Sequence, residues 1–95
     1  MPNSKWEGNI GGQHLIMEFY SKERVELYDT DHNWAGSGLY ERKGNRIEFG
    51  AVPVRIKSGY RTKYYDLKSA TIDKKRMSVR TECDGDIDYN TFRKM

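Results

Sequence analysis

Ninety-five residues suffice for one domain, and with 36% hydrophobic side chains its core has to be lean. The formal charge of +3 comes from one segment: residues 53–80 hold nine basic and two acidic side chains, while the flanking stretches are net acidic. A single cysteine, Cys83, excludes an intrachain disulfide, and no apolar run approaches the ~18 residues of a membrane-spanning helix. Residues 1–4 have neither the charged start nor the apolar middle of an export signal. The expected compartment is therefore the cytoplasm, or an extracytoplasmic one if such a signal has been trimmed.

Strand-like segments recur at near-regular intervals with no helical stretch between them. The first covers residues 5–9 around Trp6. Residues 13–20 alternate, with Leu15, Met17 and Phe19 on a core face and His14, Ile16, Glu18 and Tyr20 opposite. Residues 24–29 put Val25 and Leu27 inward, and the short gap makes these two segments a hairpin. Residues 35–42 follow, with Gly36-Ser37-Gly38 small enough for a sharp bend. After the Gly44-Asn45 turn, residues 46–50 offer Ile47 and Phe49 to the core, opposite Leu39 or Tyr40.

Residues 51–62 break the rhythm. Pro53 cannot donate to a ladder and Ser58-Gly59 is a turn signal, so this stretch reads as the longest loop. Strand character returns over residues 63–72, where Leu67 and Ile72 fall on opposite parities and predict a bulge. Residues 77–83 place Met77 and Val79 inward, and Asp84-Gly85 is the strongest hairpin signal in the chain. In residues 87–93 the parities of Ile87 and Phe92 conflict, and the pattern does not say which faces in.

Eight such strands in chain order predict an all-β fold: a single domain over residues 1–95, built as a small antiparallel up-and-down barrel, because closure removes exposed edges. The interior of an eight-stranded barrel is just filled by side chains or holds one small ligand. Nine long apolar side chains plus Trp6 and Phe92 predict a mostly filled one, with at best a shallow cavity at one mouth.

Trp6-x-Gly8, Gly38-x-Tyr40, Gly44-Asn45-x-Ile47-x-Phe49, Ile72-x5-Met77-x-Val79 and the closing Thr91-Phe92-Arg93-Lys94 resemble the small lipocalin-like (calycin-like) barrels of bacterial secreted proteins. The likeness covers almost the whole chain and rests on turn and core residues. It implies a barrel that binds a small apolar or amphipathic molecule, and it names no binding residues.

Asp29-Thr30-Asp31-His32-Asn33 copies three ligand positions of a calcium loop, but Trp34 stands where glycine is required and Tyr40 where a bidentate Glu is. Glu82, Asp84, Asp86 and Asp88 surround a turn that accounts for them without an ion. His14, His32 and Cys83 are too few for a zinc site and lack an orienting neighbour for nucleophilic chemistry. No catalytic residue, metal site or cofactor is predicted, and the expected role is non-enzymatic.

Three binding readings remain open. The first is a carrier for a small amphipathic ligand, with Tyr40, Tyr60 and Tyr64 at a barrel rim and Arg42 and Arg61 facing an acidic headgroup. The second is single-stranded nucleic acid or another anionic surface, recognised by Arg55, Lys57, Arg61 and Lys63 interleaved with Tyr60, Tyr64 and Tyr65. The third is a structural or protein-interaction module that self-associates through Ile16, Tyr20 and Tyr28 on the outer face of neighbouring strands.

Overall fold

Alternation of apolar and polar residues, cut at short intervals by turn dipeptides, leaves this chain no helical option, and strands form wherever the alternation runs. A computed structural model describes residues 3–95, apart from the side chain of Ser58. The strands among them are β1 (Ser4–Ile10), β2 (Gln13–Phe19), β3 (Arg24–Tyr28), β4 (Trp34–Lys43), β5 (Arg46–Phe49), β6 (Pro53–Ser58), β7 (Arg61–Asp73), β8 (Arg76–Cys83) and β9 (Asp86–Lys94). Every ladder is antiparallel.

The sheet closes. Consecutive strands β1 to β5 pair in order, β5 pairs with β7, and β7, β8 and β9 lead back to β1 through Gly8↔Phe92. The ring thus has eight members in up-and-down order. β6 is the additional strand: it runs along β7 in the same direction as β5, opposite residues 61–66, whereas β5 lies opposite residues 69–71. β5 and β6 together form one interrupted stave of the barrel.

This corrects the reading of residues 51–62 as a loop. Pro53 occupies the first position of β6, where a missing donor is tolerated, and Val52, Val54 and Ile56 are buried inside the barrel. β6 reaches β4 without a shared ladder. Gly36 and Gly38 face inward opposite Leu27 and Val25; the start of β6 lies directly against Gly36, and the β5–β6 connection, Ala51 and Val52, against Gly38. A Cβ on Gly36 would strike the Pro53 carbonyl oxygen, and one on Gly38 would sit 2.5 Å from that of Ala51. Only glycine admits a backbone at this distance.

Leu15, Met17, Phe19, Val25, Leu27, Ile47, Met77 and Val79 line the interior with no exposed surface, as their parities predict. Phe49 differs. β5 ends there, Gly50 leads the chain away, and the ring stays half-buried at the edge of the core, stacked 6.5 Å from Phe19. The expected bulge falls between Leu67 and Ser69 and turns Leu67 and Ala70 inward. In β9 the conflict resolves for Phe92, which is fully buried over the bare Cα of Gly8, while Ile87 is exposed.

The barrel is filled. The one fully buried polar side chain among the described residues, Thr81, accepts a 3.1 Å hydrogen bond from the Asn90 amide. The radius of gyration, 12.1 Å, is that of a solid globule of this length, about 12 Å.

Candidate functional site

A filled interior moves recognition to the surface, and the two ends of the barrel offer different chemistry. The β1–β2, β3–β4, β6–β7 and β8–β9 turns lie at one end; the β2–β3, β4–β5 and β7–β8 turns lie at the other. The β7–β8 ladder begins only at Asp66↔Glu82, so residues 61–65 have β6 alone as a ladder partner. The β6–β7 hairpin therefore extends past its β8 neighbour.

Register sorts its side chains. Opposite residues of an antiparallel pair share a face, so Arg55 stands beside Tyr64 and Lys57 beside Thr62 on the outer face. The inner face carries Val54 with Tyr65 and Ile56 with Lys63. Val54 and Ile56 reach the core, and Tyr65 lies half-buried across Gly11, whose missing Cβ leaves room for the ring. Beyond them Arg61 and Lys63 are exposed, and Tyr60 at the two-residue tip is fully exposed. Among the described residues none of Arg55, Lys57, Arg61 and Lys63 closes an ion pair.

Beside this hairpin lies a polar cleft of about 250 Å³, lined by Gln13, Asp29, Asn33, Trp34, Ala35, Arg55 and Lys57. Trp34 is half exposed at its edge, in contrast to Trp6, which is buried and donates its indole N–H to Ser4 Oγ at 3.4 Å. Asp29 is occupied by its own loop. Its carboxylate accepts hydrogen bonds from the backbone N–H of Asn33 and Asp31, each 2.9 Å, and from the Asn33 amide at 3.1 Å. These donors hold its pKa below the ordinary 3.8, the Asn33 backbone bond being the largest cause.

At the opposite end an open cleft of about 520 Å³ is lined by Leu39, Tyr40, Phe49 and Gly50, with Glu23, Glu41 and Glu48 around it. Tyr40 meets Phe19 edge-on at 4.8 Å and donates its hydroxyl to the Ser21 carbonyl at 2.5 Å. Burial pushes its pKa above the ordinary 10.0, against a smaller lowering by Arg42. Arg42 is turned to the β4–β5 turn, its Nε donating to the Gly44 carbonyl at 2.7 Å.

The rim expected from sequence is therefore not one rim. Tyr60, Arg61 and Tyr64 stand at the hairpin end, and Tyr40 and Arg42 at the other, because β4 and β7 present these residues from opposite termini of the barrel. The charge around Tyr40 is mixed: Arg42 lies near enough to lower its pKa, while Glu23, Glu41 and Glu48 line the cleft beside it. Arg55, Lys57, Arg61, Lys63 and Tyr65, by contrast, do share one hairpin, divided between its two faces. Trp34 and Gln13 were missed by sequence reasoning, and no local signal marks them: they join Arg55 only where the starts of β4 and β2 meet β6 in the folded barrel.

Of the outer-face group, Ile16 and Tyr28 are direct cross-strand partners. Tyr28 is nearly covered, its hydroxyl donating to Glu18 at 3.2 Å and its ring 5.7 Å from that of His32, so little of it is available to a partner. Cys83 sits at the end of β8, its thiol pKa raised by burial and by the neighbouring Asp84 carboxylate. A thiol held protonated is a poor nucleophile. No family model, curated protein or solved structure matches the chain.

Proposed function

We propose that this barrel is a non-enzymatic binding module that engages single-stranded nucleic acid through its β6–β7 hairpin. The observation that carries the reading is the hairpin itself: four cations with no ion-pair partner among the described residues, and two exposed tyrosine rings, on a projection past the barrel wall. Cations neutralise phosphates, and rings stack on unpaired bases irrespective of sequence. The Arg55–Tyr64 pair puts one of each side by side, and Trp34 adds a third ring at the adjoining cleft. The likeness to small lipocalin-like barrels, carried by Trp6-x-Gly8 and the core spacing that follows it, supports a binding role in general, though the ligand it implies is a small apolar or amphipathic molecule and not nucleic acid.

Anisotropy of a labelled oligothymidylate measures this directly. Four neutralised phosphates give log K against log salt a slope of roughly −3. Replacing Arg55, Lys57, Arg61 and Lys63 together by glutamine removes both the binding and the slope. Tight binding that survives this replacement, or that does not depend on salt, refutes the reading.

The 520 Å³ cleft at the opposite end supports a second reading, a small amphipathic ligand seated on Leu39, Tyr40 and Phe49. Glu48 is already paired with Arg46 at 2.6 Å, and the remaining carboxylates, Glu23 and Glu41, favour an amine over an acid headgroup. A rise in melting temperature with alkylamines but not with fatty acids is the expected sign, and no shift with either removes this reading.

A further inference from the structure

On the outer face, far along the sheet from the hairpin, Arg76 and Arg93 stand directly opposite each other across β8 and β9. Like charges in this position destabilise a sheet. Carboxylates flank the pair in the same cross-strand row, Asp73 opposite Arg76 and Glu7 opposite Arg93. Neither closes an ion pair with an arginine among the described residues, and Glu7 Oε2 lies instead 3.6 Å from His14 Nε2.

Arg76 and Arg93 both line a groove of about 440 Å³ whose remaining lining is Glu7, Gly8, Asn9, His14 and Thr91. Gly8 contributes backbone alone to the floor. Its absent side chain lies on the inner side, where Phe92 fills the space. The adjacent row adds hydroxyl donors, since Thr91 stands opposite Ser78 on the same outward face. The groove thus offers two planar forks, a hydroxyl and an amide within one concavity. Two arginines paired directly across the strands, with Thr91 in the adjacent row and the Glu7 carboxylate set toward His14, match a tetrahedral oxyanion that each fork grips through its oxygens.

We propose that this groove binds the phosphate group of a small phosphate monoester or of free phosphate, with Arg76 and Arg93 clamping the oxyanion and Thr91 and Asn9 completing its hydrogen bonds. The bound dianion reverses the repulsion between the arginines, so occupancy and local stability are linked. The site is independent of the hairpin reading, since it shares no residue with residues 55–65.

The test is an amide and arginine-Nε chemical-shift titration of the intact chain with phenyl phosphate and, separately, with inorganic phosphate, at matched ionic strength set by chloride. Saturable shifts at Arg76, Thr91 and Arg93 at concentrations on the order of 1 mM are expected. Preference for phenyl phosphate identifies a monoester ligand, and equal affinity identifies the free ion. Arg76→Gln and Arg93→Gln each weaken binding by about tenfold or more, while the quadruple glutamine variant of the hairpin leaves it unchanged. Without ligand, Arg76→Gln keeps or raises the melting temperature, because a like-charge contact is removed. Shifts that never saturate, shifts centred on residues 55–65, or a marked loss of ligand-free stability in Arg76→Gln would each overturn the proposal; the last would make the arginines structural partners of Asp73 and Glu7.

Discussion

Phe92 and Ile87 lie on one strand with opposite parities, so only one of them can enter the core. Phe92 wins because Gly8, directly across the closing ladder, leaves a bare backbone for the ring to cover. Phe92→Ala should cost about 3 to 5 kcal/mol in urea denaturation, whereas Ile87→Ala should stay within about 0.5 kcal/mol. Equal effects would mean that β9 is mis-registered. Tyr40→Phe keeps the edge contact with Phe19 but leaves the Ser21 carbonyl without its donor, for a loss of about 1 kcal/mol. Since burial raises the Tyr40 pKa, its contribution is complete below pH 10.0 and is lost as pH rises from there through the folded value. The Asp29 loop behaves oppositely. Its depressed carboxylate contributes above the ordinary 3.8 and stops contributing as pH falls below it, which Asp29→Asn should abolish in an acid titration of stability.

Strand by strand, the hydrophobic alternation was a sufficient guide wherever one face meets the core and the other meets water. β2, β3 and β8 are legible for that reason. β6 was not, because proline and a nearby turn signal outweighed the Val52-x-Val54-x-Ile56 alternation that also runs through it. Closure of the barrel there depends on the contact of Gly36 with the β6 backbone and of Gly38 with the Ala51 backbone just before it, a long-range fit that no local pattern displays. The candidate site was half legible for the same reason. The hairpin cations are close in sequence, while Trp34, from β4, and Gln13, from the start of β2, meet them only in the folded barrel. Gly36→Val should push β6 off the wall. The expected result is accelerated amide exchange at residues 54–57 with the β1–β2 and β8–β9 ladders still protected; unchanged exchange in β6 would show that the approach is not needed.

For the molecule as a whole, a solid barrel with a charged projection separates stability from recognition. The core residues sit behind the wall, and the four hairpin cations make no ion pair among the described residues, so replacing them together by glutamine should leave the urea midpoint nearly unchanged. Binding is proposed to belong to this hairpin. The most direct measurement is an amide chemical-shift titration of the intact protein with a short oligothymidylate at low salt. Saturable shifts concentrated in residues 55–65 and at the Trp34 indole, fading as salt is raised, are the expected result. Shifts centred on any other surface, or none at all at low salt, would rule the hairpin out as the binding surface.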